Sequence, residues 1–154
     1  MIGDTEPHEA PTVQRATQPG VGGSTRTRQV ITVPGVAHGS QPFPLAVRVG
    51  GLVVSSAIPG KDPQTGTIPA EPGRQVELLF GNIREVMSRA GGGVQDIAHV
   101  LVSVSAKEYR ELVNEQWVLT FPDPDDRPAR NTQVRDLGGG MICCAIITAF
   151  LTNR

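Results

Sequence analysis

The sequence predicts an α+β fold, a single domain in which a roughly six-stranded mixed sheet carries two helices on one face. Two amphipathic segments, residues 71–90 and 107–121, repeat apolar side chains at helical spacing. Short β-branched runs between Gly- and Pro-rich turns supply the strands. The segment between the helices is apolar at nearly every position, as a central strand covered on both faces is. The element order is therefore β-ββ-α-β-α-ββ.

Residues 28–34, RQVITVP, form a first strand stopped by Pro34. Residues 45–60 hold two strands joined by a hairpin turn at Gly50-Gly51. KDPQTGT, residues 61–67, is a turn with Pro63 and Gly66 where turn chemistry needs them. In the first helix Val76, Leu79, Phe80, Ile83, Val86, Met87 and Ala90 make the apolar stripe. Glu71 and Pro72 suit its first turn, and the triple glycine at 91–93 supplies a left-handed stop. Residues 96–105 are the central strand. The second helix carries Leu112, Val113, Trp117 and Phe121, with Ser105 as cap and Glu108 completing a capping box. A Pro/Asp loop leads to strands at 131–137 and 141–150, joined through Gly138, Gly139 and Gly140. With both helices on one face, the other keeps apolar residues such as Val53, Leu101 and Ile146 or their neighbours, and a monomer would leave them wet. A homo-oligomer is expected.

Charge excludes some functions. Fourteen basic residues against 15 acidic give a formal net charge of -1, with no basic stripe for nucleic acid and hence no support for a ribonuclease. The longest nearly apolar run, 141–151, is too short for a membrane span. Residues 1–27 are polar and rich in Pro, Gly and Thr, without the apolar run of a secretory signal; they read as a disordered lead-in or a strap around a partner subunit, and 28–154 as the folded domain. The two cysteines, Cys143 and Cys144, are neighbours whose side chains leave a strand on opposite faces, so a disulfide between them is strained. Reduced thiols and a cytoplasmic setting follow. Nothing in the His and Cys spacing resembles a zinc site, GVGGS at 20–24 lacks the helix and lysine of a phosphate loop, and no G-x-S-x-G elbow is present.

SAIPGKDPQTGTI, the first amphipathic helix, LVNEQWVLTFP and RPAR together resemble, in order and spacing, the RidA/YjgF family over residues 31 to 150. The resemblance implies a chorismate-mutase-like fold, a homotrimer whose sheets form a central barrel, and clefts between subunits. It also implies hydrolysis of reactive 2-imino and 2-enamino acids to 2-keto acids with release of ammonia, without metal or organic cofactor. On that pattern Arg130 matches the arginine that binds the substrate carboxylate, a role its planar fork of donors suits. The bland alternative is a surface arginine paired with Asp125 or Asp126. Asn114 falls on a helix asparagine near the cleft, and Trp117 on an aromatic position that also reads as core. Phe43 stands where the family has a substrate-contacting tyrosine. Ser56 and Ala57 belong to the pocket wall, while Asn131 and Thr132 replace a common serine and cysteine.

The departure lies in the last strand. Active deaminases carry a glutamate there; aligned on Leu137 this chain has Cys144, and one residue's shift gives Cys143. A carboxylate can deprotonate water, whereas a buried thiol stays protonated unless a cation such as Arg130 lies beside it. Cys144 is thus a catalytic candidate or a small buried hydrophobe. His38, close before Phe43, is either a replacement base in the cleft or simply exposed. His99 is expected to be a hydrogen-bonded packing residue, and His8 lies in the lead-in. Two functions compete: a cofactor-free deaminase or related hydrolase of a small imino, enamino or keto acid, including aminomuconate-type acids, and a non-catalytic binder of small carboxylates.

Overall fold

In a computed structural model the chain is described from residue 27 to residue 152. The expected lead-in, with His8 and the glycine-rich 20–24 segment, lies outside the described residues. The elements are β1 (Arg28–Ile31), β2 (Ala46–Val49), β3 (Leu52–Ser55), β4 (Ile58–Pro59), α1 (Pro72–Ala90), β5 (Ile97–Val104), α2 (Arg110–Thr120), β6 (Ala129–Val134) and β7 (Cys143–Phe150). They form one sheet in the order β1-β2-β3-β7-β5-β6, with β4 paired to β7 beside β3. All ladders are antiparallel except β5 with β6.

The expected order is present with one addition. The second arm of the hairpin splits into β3 and β4, making seven strands among the described residues where six were expected. The Ser55 hydroxyl accepts the Ile147 N–H at 2.9 Å, and the Ser56 N–H turns back to the Leu45 carbonyl at 2.8 Å, which interrupts the ladder. The hairpin itself turns at Gly50, whose φ of 59° needs glycine.

Cross-strand partners share a face, so the ladders sort every strand residue. One face gathers Val53, Val100, Val102, Val104, Ala145, Ile147 and Ala149, all at most 1% exposed. Both helices pack there: Val76, Leu79, Phe80, Ile83, Val86 and Met87 of α1, with Val113 and Trp117 of α2, complete one core. α1 ends on Gly91 in the left-handed conformation, φ 92°, and Arg48 from β2 donates to the Ala90 carbonyl at 2.7 Å.

The other face holds Val30, Leu52, Ile146 and Phe150, which are 54%, 40%, 37% and 59% exposed. Leu101 joins them, opposite Ile146. Val53 does not: its partners Arg48 and Ala149 lie on the helix side, and it is fully buried. Among the described residues nothing packs over this apolar face, and its β3 members are Leu52 and Val54.

Several boundaries differ from expectation, among them that of β1, which ends at Ile31, where its pairing with Ala46 closes the ladder, short of the expected stop at Pro34. The capping box at Ser105 and Glu108 does not form, because the Ser105 N–H is still bonded to the Ile142 carbonyl as part of the sheet. A single 3-10 turn, Lys107–Tyr109, begins at Ala106 instead and feeds α2. β6 starts at Ala129, since parallel pairing with β5 extends back past Arg130, and it stops at Val134. β7 begins at Cys143 because the side chain of Gln75 takes up the backbone before it, accepting from Ile142 N–H and donating to the Gly140 carbonyl, each at 2.9 Å.

Candidate functional site

A cavity of about 350 Å³ opens at one end of the sheet, between the 37–38 loop, the chain around β4 and the 135–141 turn. The chain leaves β4 through Gly60, where a β-carbon would collide with the Gln75 carbonyl; this close passage over α1 sets the position of Lys61. Asn82 fixes the same segment by donating to the Pro59 and Lys61 carbonyls, both at 2.9 Å.

Four side chains give the cavity its chemistry: His38, Lys61, Arg135 and Cys144. Nε2 of His38 is buried without a hydrogen-bond partner. Burial, then the charge of Lys61, pull the His38 pKa below its ordinary value, against a hydrogen bond to the Ala57 backbone that favours the charged ring. Phe43 packs against the His38 ring, centroids 5.1 Å apart and planes tilted by 50°. Lys61 Nζ donates to the Ala37 carbonyl at 3.2 Å.

Cys144 is 3% exposed, on the face away from the helices and opposite Ser103. Its Sγ lies 4.0 Å from Arg135 Nη2, while Arg135 Nε donates to the Ser103 hydroxyl at 3.2 Å. Burial raises the Cys144 pKa; the Arg135 charge and hydrogen bonds from Ser103 and Arg135 only partly offset it. Cys143, on the helix side, is pushed up to about 12, chiefly by burial. Neither thiol is a base at neutral pH.

Arg130 stands elsewhere. It faces the helices opposite Val100, donates to Asn114 Oδ1 at 2.6 Å and lies 4.8 Å over the Trp117 ring. Burial first, and the charge of Arg110 second, lower its pKa, and it forms no ion pair with Asp125 or Asp126. Thr132 shares its face, opposite Val102. Within one chain the expected residues therefore divide into two groups. His38, Ala57 and Cys144 line the cavity, with Phe43 at His38; Arg130, Asn114, Trp117 and Thr132 lie across the sheet. Ser56 is spent on structure, its hydroxyl donating to the Pro44 carbonyl at 2.9 Å. Asn131, on the open face, meets His99 Nε2 at 3.3 Å.

Lys61 and Arg135 were not among the residues singled out from sequence. Lys61 sits in a turn that reads as turn chemistry alone, and only the β5–β6 pairing brings Arg135 beside Cys144. No cluster of three or more His, Cys, Asp or Glu side chains able to hold a metal occurs among the described residues, and no helix there is long and apolar enough to cross a membrane.

The sequence model of the Endoribonuclease L-PSP family matches residues 37–142. A RutC family protein of Aquifex aeolicus (strain VF5) is 32% identical over 92 residues, 59% of this chain and 73% of that protein. The crystal structure of RidA from the Antarctic bacterium Psychrobacter sp. PAMC 21119 is similar with a TM-score of 0.72 at 27% identity, covering 80% of this chain and 99% of that one. E. coli TdcF with bound serine is similar in fold, with a TM-score of 0.71 at 24% identity, covering 80% and 99%.

Proposed function

This chain belongs to the endoribonuclease L-PSP family, the family of the RidA, YjgF and RutC proteins, and from that premise we propose that it is a cofactor-independent deaminase or related hydrolase of a small imino, enamino or keto carboxylic acid. The reading places the reaction in a cleft between subunits of a homotrimer. Arg130 and the His38 cavity lie on opposite faces of one sheet, so a substrate that touches both must lie between two copies. The uncovered apolar face, with Ile146 and Phe150, supports association of this kind.

In this reading Arg130 of one subunit grips the carboxylate by a bidentate pair, with Asn114 and the Trp117 ring holding the guanidinium. His38 of the neighbour replaces the missing glutamate. Its Nε2 takes a proton from water as the water oxygen adds to the imine carbon and returns it to the nitrogen, giving a carbinolamine; the hydroxyl proton then follows to the nitrogen by way of His38 as the C–N bond breaks, and ammonia leaves the 2-keto acid. The observation that carries the reading is the buried, unpartnered Nε2 of His38 in the cavity that also holds Cys144.

Release of ammonia and pyruvate from freshly generated 2-aminoacrylate tests it. Wild type should accelerate release, and His38→Ala and Arg130→Ala should each abolish most of the acceleration. Full turnover in either variant removes that residue from the mechanism. A second reading, a non-catalytic carboxylate binder, is favoured by the protonated thiol where the family's acid stands. It predicts stabilisation by small carboxylates that Arg130→Ala removes, with no ammonia from any of them.

A further inference from the structure

We propose that the ligand of this cleft carries two anionic groups, the second held by Lys61 and Arg135. The inference rests on the reading above, in which Arg130 takes the first carboxylate, and it names the substrate class.

One carboxylate is satisfied by one guanidinium fork. The cavity nevertheless presents two more cations, and among the described residues neither Asp nor Glu lines it. The ion pairs among the described residues are Arg74–Glu77 and Arg89–Glu85, both on the surface of α1, so Lys61 and Arg135 belong to none. Their nearest acids in sequence are occupied by turns. Asp62 accepts from the Gln64 N–H at 2.9 Å, and Asp136 from the Gly138 N–H at 3.1 Å. In a chain of formal net charge -1, this local excess of positive charge is built rather than inherited from composition.

Both cations are also held in place. Ser103 Oγ accepts from Arg135 Nε and from Gln133 Nε2, at 3.2 and 2.9 Å, and Arg135 Nη2 lies 4.0 Å from Cys144 Sγ, which tethers the guanidinium by one edge and leaves Nη1 for a ligand. Lys61 Nζ uses one N–H on the Ala37 carbonyl and keeps two. Holding donors before the ligand arrives reduces the ordering cost of binding. Ile68, Leu137 and Met141 line the same space, so a short apolar spacer between the two anions fits. The class is a short dicarboxylic acid or a phosphorylated carboxylic acid; both offer the same second anion to the same donors.

Titration calorimetry on the full-length protein at low salt, with butyrate, succinate and 3-phosphonopropanoate as probes, tests this. A second charge-assisted contact is worth about tenfold in affinity. Succinate or 3-phosphonopropanoate should therefore bind about tenfold more tightly than butyrate, and the tighter of the two identifies the second group. Lys61→Gln and Arg135→Gln should each shrink that ratio, Arg135→Lys should keep most of it, and added salt should compress it. Lys61 lies in a turn, so Lys61→Gln reports even if Arg135→Gln does not fold. Equal affinity for all three probes, with Arg130→Ala weakening all three, overturns the second anion site and leaves the carboxylate reading standing. No binding of any probe overturns both.

Discussion

Arg130 and Cys144 point away from each other through the same sheet. Arg130 pairs with Val100 and faces the helices; Cys144 pairs with Ser103 and faces the open side. A guanidinium so placed cannot draw a thiolate from Cys144 in its own chain. The cation that does approach that sulfur is Arg135, five residues later, at 4.0 Å.

If the cleft joins Arg130 of one subunit to His38 of another, inactive variants should rescue each other. Arg130→Ala and His38→Ala chains, unfolded together and refolded as mixed trimers, should regain ligand stabilisation and part of the turnover. Arg130→Ala alone should bind carboxylates roughly tenfold to a hundredfold more weakly, the worth of one charged hydrogen-bonded contact. Mixtures no better than their separate components would place both residues in sites of a single chain.

The pH profile should carry the mark of His38. Its folded pKa lies below the ordinary 6.5, so the unfolded chain binds the proton more tightly. The stability it governs is complete above 6.5 and is lost as pH falls from there through the lower folded value. Melting temperature should drop between about pH 7 and pH 5 more steeply in wild type than in His38→Gln, since only wild type has this ring to protonate. Turnover should likewise rise to a plateau with a midpoint below 6.5, because the neutral ring is the base. A midpoint above that value would assign the base elsewhere.

The thiols should be inert in the native protein. With Cys143 pushed up to about 12 and Cys144 raised by burial, a disulfide reagent at mildly alkaline pH should find no free thiol until denaturant is added, and then two. Cys144→Ser should keep turnover near wild type. Rapid labelling of one cysteine in the folded state would mark an activated thiol.

Gln75, a polar residue of α1, should matter to stability. It is 1% exposed and ties α1 to the Pro69 carbonyl, the Gly140 carbonyl and the Ile142 N–H. Gln75→Ala strands those groups and should cost about 3 kcal/mol of stability, read by chemical denaturation. A change under about 0.5 kcal/mol would show that water replaces the amide without loss.

The uncovered sheet face yields a test of assembly. Ile146→Glu places a charge among Leu52, Leu101 and Phe150 and should convert an oligomer to monomers, measured by light scattering during gel filtration. A wild-type chain that elutes as a monomer would end the intersubunit reading at once.

Much of this was legible one residue at a time. The α1 stripe, the Gly91 stop and the Gly50 turn follow from local periodicity and backbone geometry, and the spacing of the motifs reveals the family. The two-residue strand Ile58–Pro59 was not legible, because it is a fragment cut from a longer run by the Ser55 hydroxyl and defined by its pairing with β7. The capping box at Ser105 failed for a related reason, a sheet hydrogen bond from a segment 37 residues away.

The amino-acid order by itself determined most of the elements, the family they compose and the side chains that are candidates for the site. Tertiary structure decided the face on which each of those side chains emerges, and so which of them meet. Side chains on a strand alternate with a period of two, and a slip of one residue in pairing moves a residue to the opposite face. That register is set by partner strands far away in the chain: β5 brings Arg135 to Cys144 and leaves Arg130 among the helices.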